Sequence, residues 1–310
     1  NYIHTAHIDD AELTRAMVQG LLERIDAGAL LVPADAGGGD GPDEHPFYAE
    51  ILDARIGYAR LGRLDDSTIP QLDAALGKFA SKELNSVILD LRTTPAGGSF
   101  DLAVEVIKRF APKGELLFTI KRPGAKQERI FTSDREPLFS GLTMVVADAD
   151  TAGPAEVIAA SIRANTRAMV IGEPTAGAGV EYSDLKLKGG QILRIAVAEV
   201  VVPDHKPIFP GGVTPDITVE GDDAIKSELM RSSVEEGVSK FVFDKERPRL
   251  NEAALVSGAT PELDSLRELQ ENGGRGKSPL RDRVLQRAVD LVTTISIYER
   301  KPGAGGSSEP

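Results

Sequence analysis

Two short loops hold the residues that could do chemistry. Asp148-Ala149-Asp150-Thr151 closes an apolar run, Thr143 to Ala147, and G-E-P-T-A-G-A-G (172 to 179) closes another, Ala168 to Ile171. An acidic loop after an apolar strand could attack a phosphoryl group through one carboxylate and hold magnesium with the pair. Thr151 stands one position early for a D-x-D-x-T arrangement, and acids and Thr at a helix start also simply favour the helix dipole. The second loop begins as a phosphate loop does, G-x-x-x-x-G, but continues Ala178-Gly179 where Lys and Ser or Thr must follow. It reads as a glycine turn. Hydroxyl nucleophiles are available at Thr151, Ser161, Thr175 and Ser183, with Lys186 or Lys188 as bases. Against that route, Ser161 lies two helical turns in from its loop, and the lysines alternate with Leu185 and Leu187 on an outward strand face. The four histidines (4, 7, 45 and 205) form no ligand spacing on a predicted element.

The elements that must position these loops form a strand, helix, strand unit, with Gly153-Pro154 opening the helix. In open α/β sheets such units place sites at the carboxyl ends of the strands, here Asp148 to Pro154 and Gly172 to Gly179. Before it, Asp9-Asp10-Ala11-Glu12 reads as a capping start for a helix with Leu13, Met17, Leu21 and Ile25 on one stripe, ending near Gly28. Pro33 to Pro46 is rich in Gly, Asp and Pro. Ile51 to Leu61 reads as one strand. Asp66-Ser67 caps a helix presenting Ile69, Leu72, Leu76 and Phe79. Ser86 to Leu91 is an apolar run of the kind found in sheets covered on both faces. It ends in R-T-T-P-A-G-G-S-F, and a helix with Leu102, Ala103, Val106 and Phe110 inward follows. Strands at 115–121 and 128–132 flank a turn at Pro123-Gly124. Strands at 179–187 and 191–202, a short one at 216–220, and helices at 223–241, 261–270 and 278–298 complete the chain, the last with Val284, Ala288, Leu291 and Ile295 on a stripe.

The chain has 310 residues, 41% hydrophobic and 27% charged, with a net charge of −12 and no Cys. A sizeable core is expected. The negative field disfavours nucleic acid and anionic membrane surfaces as partners. Thiolate catalysis, disulfides and Cys-ligated zinc are excluded, and no cofactor or metal site is expected. No apolar run approaches the roughly 20 residues of a membrane span. A chain opening on Asn1 fits a trimmed form and a mature form after removal of an export signal equally.

The series L-D-L-R-T-T-P-A-G-G (89 to 98), T-A-G-P-A-E-V-I-A-A-S (151 to 161), R-A-M-V-I-G-E-P-T-A-G-A-G (167 to 179) and P-D-H-K-P-I-F-P-G-G-V-T-P-D (203 to 216), with the late D-R-V-L-Q-R-A (282 to 288), resembles the carboxyl-terminal processing, or tail-specific, serine proteases. The resemblance implies a ClpP/crotonase-like α/β core. In active members it implies a Ser nucleophile and a Lys general base, the Lys needing burial to lower its pKa. Matched through Glu156, the family's T-A-S-A-S-E loop places the nucleophile on Gly153. Matched through Gly172-Glu173 and Thr175, its G-E-x-T-x-G-K-G loop places the base on Ala178. A polar position in the nucleophile helix falls near Ala164. The oxyanion donors correspond to the Gly97-Gly98 turn and to Pro154, which has no N–H. One such donor is typically worth about 3 kcal/mol of transition-state stabilisation. The loop also carries Ala96 as an insertion and lacks the family's Asn. Three separate losses point to natural decay of the site. Arg92, Arg167, Pro215 and Asp216 match family positions and read as structural: arginines tying strand ends, and a Pro-Asp turn setting up the last strand.

The expected organisation is an N-terminal helical segment (1–32), a linker in place of the family's PDZ domain (33–46), a protease-like α/β core (47–220), a C-terminal helical region (221–300) and a disordered tail (301–310). The expected function is that of a catalytically inactive homologue: a scaffold, peptide-binding or assembly partner. Its partner would be a protein or extended peptide, a second copy, or an active protease. The alternatives are an active serine-type peptidase with displaced nucleophile and base, and a crotonase-like acyl-CoA binder, which Pro154 weakens. The resemblance implies the bacterial periplasm or an equivalent exported space.

Overall fold

The computed structural model describes residues 28–32, 46–95, 98–187, 192–203, 207–243 and 280–299. Two sheets organise them. The first has the order β11-β8-β7-β4-β3-β2. Its strands are β2 (Tyr48–Leu52), β3 (Ile56–Arg60), β4 (Ser86–Asp90), β7 (Leu142–Ala147), β8 (Met169–Gly172) and β11 (Ile217–Thr218). All neighbours are parallel except β2 and β3. Parallel neighbours need crossovers. Helices α1 (Thr68–Ser81), α2 (Phe100–Lys108) and α3 (Pro154–Asn165) lie in three of them, and the crossover from β8 to β11 runs through strands of the second sheet.

The apolar runs are continuous because each strand is buried on both faces. Val87, Leu89, Val145 and Val170 join Leu72, Phe79, Val106, Val157 and Ile158 in one core layer. Ile88, Met144, Val146 and Ile171 join a second layer with α5 (Ser239–Val242) and α6 (Arg283–Glu299), through Val242, Leu285, Ala288 and Val292. Each fully buried aliphatic side chain contributes roughly 1.5–3 kcal/mol. Helix α4 (Asp223–Glu236) caps the buried Arg60 through the Met230 carbonyl and the Ser233 hydroxyl.

The second sheet has the order β1-β10-β5-β6, with β9 on β10. Its strands are β1 (Ala29–Val32), β5 (Leu116–Lys121), β6 (Arg129–Thr132), β9 (Val180–Lys186) and β10 (Ile192–Val201). Leu117, Phe118, Ile120, Ala198 and Val200 pack it into the first core layer.

Several expectations are corrected. The single strand expected at 51–61 is a hairpin, because Asp53 and Ala54 turn the chain through left-handed conformations (φ 46° and 52°). Ser67 stands at the N-cap of α1 as expected but makes no side-chain cap bond, its amide and hydroxyl donating instead to the Asp65 carboxylate. The helix expected over 223–241 breaks at Gly237 (φ 85°) into α4 and α5. The last four residues of segment 1–32 are strand β1. The expected stripe of α6 is met and widened: Val284 and Ala288 are buried, Leu291 and Ile295 pack part-buried against the same layer, and Leu285, Val289 and Val292 extend the buried face. Apart from Gly28 and Pro46, the helices expected at 9–28 and 261–270, the linker 33–46, the tail 301–310 and all four histidines lie outside the described residues.

Candidate functional site

The two loops singled out in the sequence meet at the carboxyl ends of β7 and β8. Gly153 turns the chain into α3 with φ 59° and ψ −121°, a conformation costly for any residue with a Cβ. It is the sharp strand-to-helix turn on which an exposed nucleophile is ordinarily mounted. Pro154 follows as the first helical residue, where its fixed φ is suited to the helix and its missing N–H costs the helix nothing.

Glu156 holds this turn against the second loop. Its carboxylate is fully buried. One oxygen accepts the Gly153 amide (2.9 Å) and the Ala178 amide (2.7 Å). The other accepts the Gly177 amide (2.7 Å) and the Thr175 hydroxyl (2.5 Å). The Thr175 hydroxyl in turn accepts the Val213 amide (2.7 Å). Burial pushes the Glu156 carboxyl above its ordinary range, and these hydrogen bonds oppose that push. Gly177 is required where it stands. Its φ is 73°, and a Cβ there would lie 1.9 Å from the Pro210 carbonyl oxygen.

A groove of about 430 Å³ opens over these residues, lined by Gly98, Phe100, Gly153, Pro154, Ala178 and Tyr182 among others. Four of the five positions expected at the site, Gly98, Gly153, Pro154 and Ala178, are therefore brought together. Gly97 lies outside the described residues. Ser99 adds a hydroxyl at the rim, which caps α2 by accepting the Asp101 amide. The arginines at the groove are paired with acids. Arg129 and Arg122 donate to Glu181, and Arg194 to Asp184. Burial and the nearby Glu156 charge push the Tyr182 phenol up.

The displaced nucleophiles do not reach this groove. The Thr151 hydroxyl is buried and donates to the Leu91 carbonyl. That of Ser161 is buried and donates to the Leu117 carbonyl. Thr175 is engaged by Glu156. Ser183 and Lys186 are exposed on β9, Ala164 is exposed on α3, and Lys188 lies outside the described residues. The acidic loop holds an ammonium rather than presenting a metal cradle: Lys226 of α4 donates to Asp148 and Asp150 at 2.5 Å each. No group of acids and histidines suited to a metal occurs among the described residues.

Arg92 behaves as a tie. It donates to Asp90 at the end of β4 and to Asp282, which caps α6 by accepting the Leu285 amide. Burial would raise the Asp90 carboxyl, but Arg92 outweighs it and holds Asp90 below the usual range. Asp216 accepts the Val170 amide and sets β11 beside β8. Arg167 corrects its expectation, being exposed and tying no strand end among the described residues. Sequence reasoning missed the groove's walls, Arg129, Tyr182 and Arg194, which arrive by strand pairing. It used Glu156 only as an anchor, although Glu three residues into a helix start is a capping signal.

The model of peptidase family S41 matches residues 55–219. The carboxyl-terminal-processing protease of Synechocystis is 28% identical over 179 residues, 56% of this chain and 41% of that protein. The carboxy-terminal-processing protease of Bartonella bacilliformis is 32% identical over 178 residues, 54% of this chain and 40% of that protein. The chain thus spans about two fifths of the length of these relatives. Among solved structures, the photosystem II D1 C-terminal processing protease superposes with a TM-score of 0.53 at 22% identity, covering 69% of this chain and 56% of its own. A peptidase-like protein from Parabacteroides merdae superposes with 0.56 at 18% identity, covering 80% and 87%. The expected ClpP/crotonase-like α/β core is thereby met in the fold. Residues 55–219, which hold both loops and the groove between them, make this chain a member of peptidase family S41.

Proposed function

We propose that this chain is a catalytically inactive member of its family that acts as a scaffold or peptide-binding partner. The observation that carries the reading is the convergence of Gly98, Gly153, Pro154 and Ala178 on one groove, where neither a nucleophile nor a basic amine stands at the expected positions. Covalent catalysis needs a hydroxyl and a base within hydrogen-bond reach. An extended peptide held by strand addition beside this groove would bind through backbone hydrogen bonds. Such a partner, or an active protease, would be met in the periplasm or an equivalent exported space. Segment 33–46 stands in this reading in place of the PDZ domain that the resemblance implies, between an N-terminal segment and the core 47–220. No helix among the described residues is long and apolar enough to cross a membrane.

The test is peptidase turnover on unfolded substrates, together with labelling by a fluorophosphonate. The expected result is neither turnover nor label on the folded chain. Turnover abolished by mutating Thr151 or Ser161 would refute inactivity and establish the displaced-nucleophile reading. The burial and engagement of both hydroxyls argue against that outcome.

A further inference from the structure

Beyond the groove, strands β1, β10 and β9 run on as a three-stranded ribbon, and its two faces differ. The register pairs Leu30 with Arg194 and Arg194 with Asp184, so these share one face. That face turns to the groove, which Tyr182, Asp184 and Arg194 line. One residue along, Leu31 pairs with Leu193 and Leu193 with Leu185. Three leucines therefore form a row across the opposite face, with Ile195 and Ala29 beside them. The row ends on β9, where Leu185 is 54% exposed. Among the described residues β9 pairs only with β10, which leaves its outer edge open. An open edge with an exposed apolar side chain near its C-terminal end is a template for further pairing.

We infer that this edge pairs with the same edge of a second copy of the chain, antiparallel and centred on Leu185. A two-fold axis normal to the sheet preserves its faces, so it sets Leu185 against the partner copy's own Leu185. It then sets Asp184 against Lys186 and Lys186 against Asp184. Lys186 is exposed and meets no acid among the described residues. The centre is thus apolar and both flanks are opposite-charge pairs, each favourable for directly facing residues. Centring one residue earlier would put Asp184 against Asp184, which is unfavourable. In the register proposed, the leucine row continues unbroken through both copies, a self-complementary isologous contact. The pairing leaves the groove face of each copy outward.

The chain has no Cys, so one introduced cysteine reports the contact without interference. Directly opposed residues in an antiparallel pair lie about 4.5–5.5 Å apart at Cα, within the span of a disulfide. In the full chain, Leu185→Cys is expected to convert to a disulfide-linked dimer under mild oxidant. Ser183→Cys is expected to stay at background, because its two copies would stand about 14 Å apart along the strands. Adding Lys186→Glu to Leu185→Cys brings like charges together twice and should cut dimer formation about tenfold. Light scattering on the unaltered chain should show the mass rising with concentration from 33.0 kDa to twice that value. A mass fixed at that of one chain up to the solubility limit would overturn the inference. So would equal cross-linking from positions 183 and 185, or an edge occupied by added peptide while the chain stays monomeric. The light-scattering result stands whether or not a variant folds.

Discussion

Glu156→Gln perturbs the one side chain that joins both candidate loops. The change conserves shape and removes one acceptor oxygen. In one amide orientation the new NH2 faces the Gly153 and Ala178 amides; in the other it faces the Gly177 amide and the Thr175 hydroxyl, which can rotate to accept. One or two buried donors lose their partner in every case. Each costs about 1–3 kcal/mol, so a loss of about 2–4 kcal/mol is expected. For a domain of this size that lowers Tm by roughly 5–10 °C. The pH dependence carries a sign. Burial raises the Glu156 pKa above its ordinary 4.5. The folded state therefore binds this proton more tightly than the unfolded chain. The associated stability is complete below pH 4.5 and is lost as pH rises through the folded pKa. The Gln variant lacks that slope, so its penalty should shrink as pH rises from about 4 to 7. Thermal melts of both proteins at several pH values decide the matter. A Tm change under about 2 °C, or a penalty that grows with pH, would refute the account.

Other perturbations separate the site's backbone from its packing. Asp282→Ala strips a partner from the buried Arg92 and the cap from α6, and should cost about 3–5 kcal/mol in urea unfolding. Gly177→Ala forces a Cβ against the Pro210 carbonyl and should lower Tm by several degrees, with early proteolytic cutting near the loop. Carboxyls held below their ordinary range by arginine partners, Asp73 and Asp90, contribute stability that is present above pH 3.8 and lost as pH falls through their folded pKa values. Acid melts should show that loss, and Asp73→Asn should flatten it. Gly153→Ser alone should gain no fluorophosphonate label, since base and second oxyanion donor are still missing. Adding Pro154→Ala and Ala178→Lys should allow labelling at position 153, read by peptide mass mapping.

Much of the core was legible because its signals are local. The runs at 87–89, 144–147 and 168–171 are apolar at every position, which only a sheet covered on both faces rewards, and the structure sends alternate residues to two separate layers. Helix α1 showed Leu72, Leu76 and Phe79 at helical spacing, and all three are buried. The hairpin at 53–55 was hidden because its turn uses Asp and Ala in left-handed conformations rather than the Asn-Gly or Gly-Gly that would announce it. The break at Gly237 was hidden because a single glycine inside a polar helix is compatible with either outcome.

The residue types at the candidate site belonged to the sequence alone. A Gly cannot attack, a Pro cannot donate an N–H and an Ala cannot take a proton, whatever surrounds them. Tertiary structure decided what those residues stand among. Gly98, Gly153 and Ala178 come from three loops far apart in the chain, and the parallel order of β4, β7 and β8 brings them to one end of the sheet. Glu156 then fixes two of the loops through four hydrogen bonds, of which only that from Gly153 is local; the other three partners lie 19 to 22 residues away, where no linear pattern specifies them. Strand register set Tyr182 and Arg194 over the groove and the leucines on the opposite face, since a shift of one residue would exchange the two.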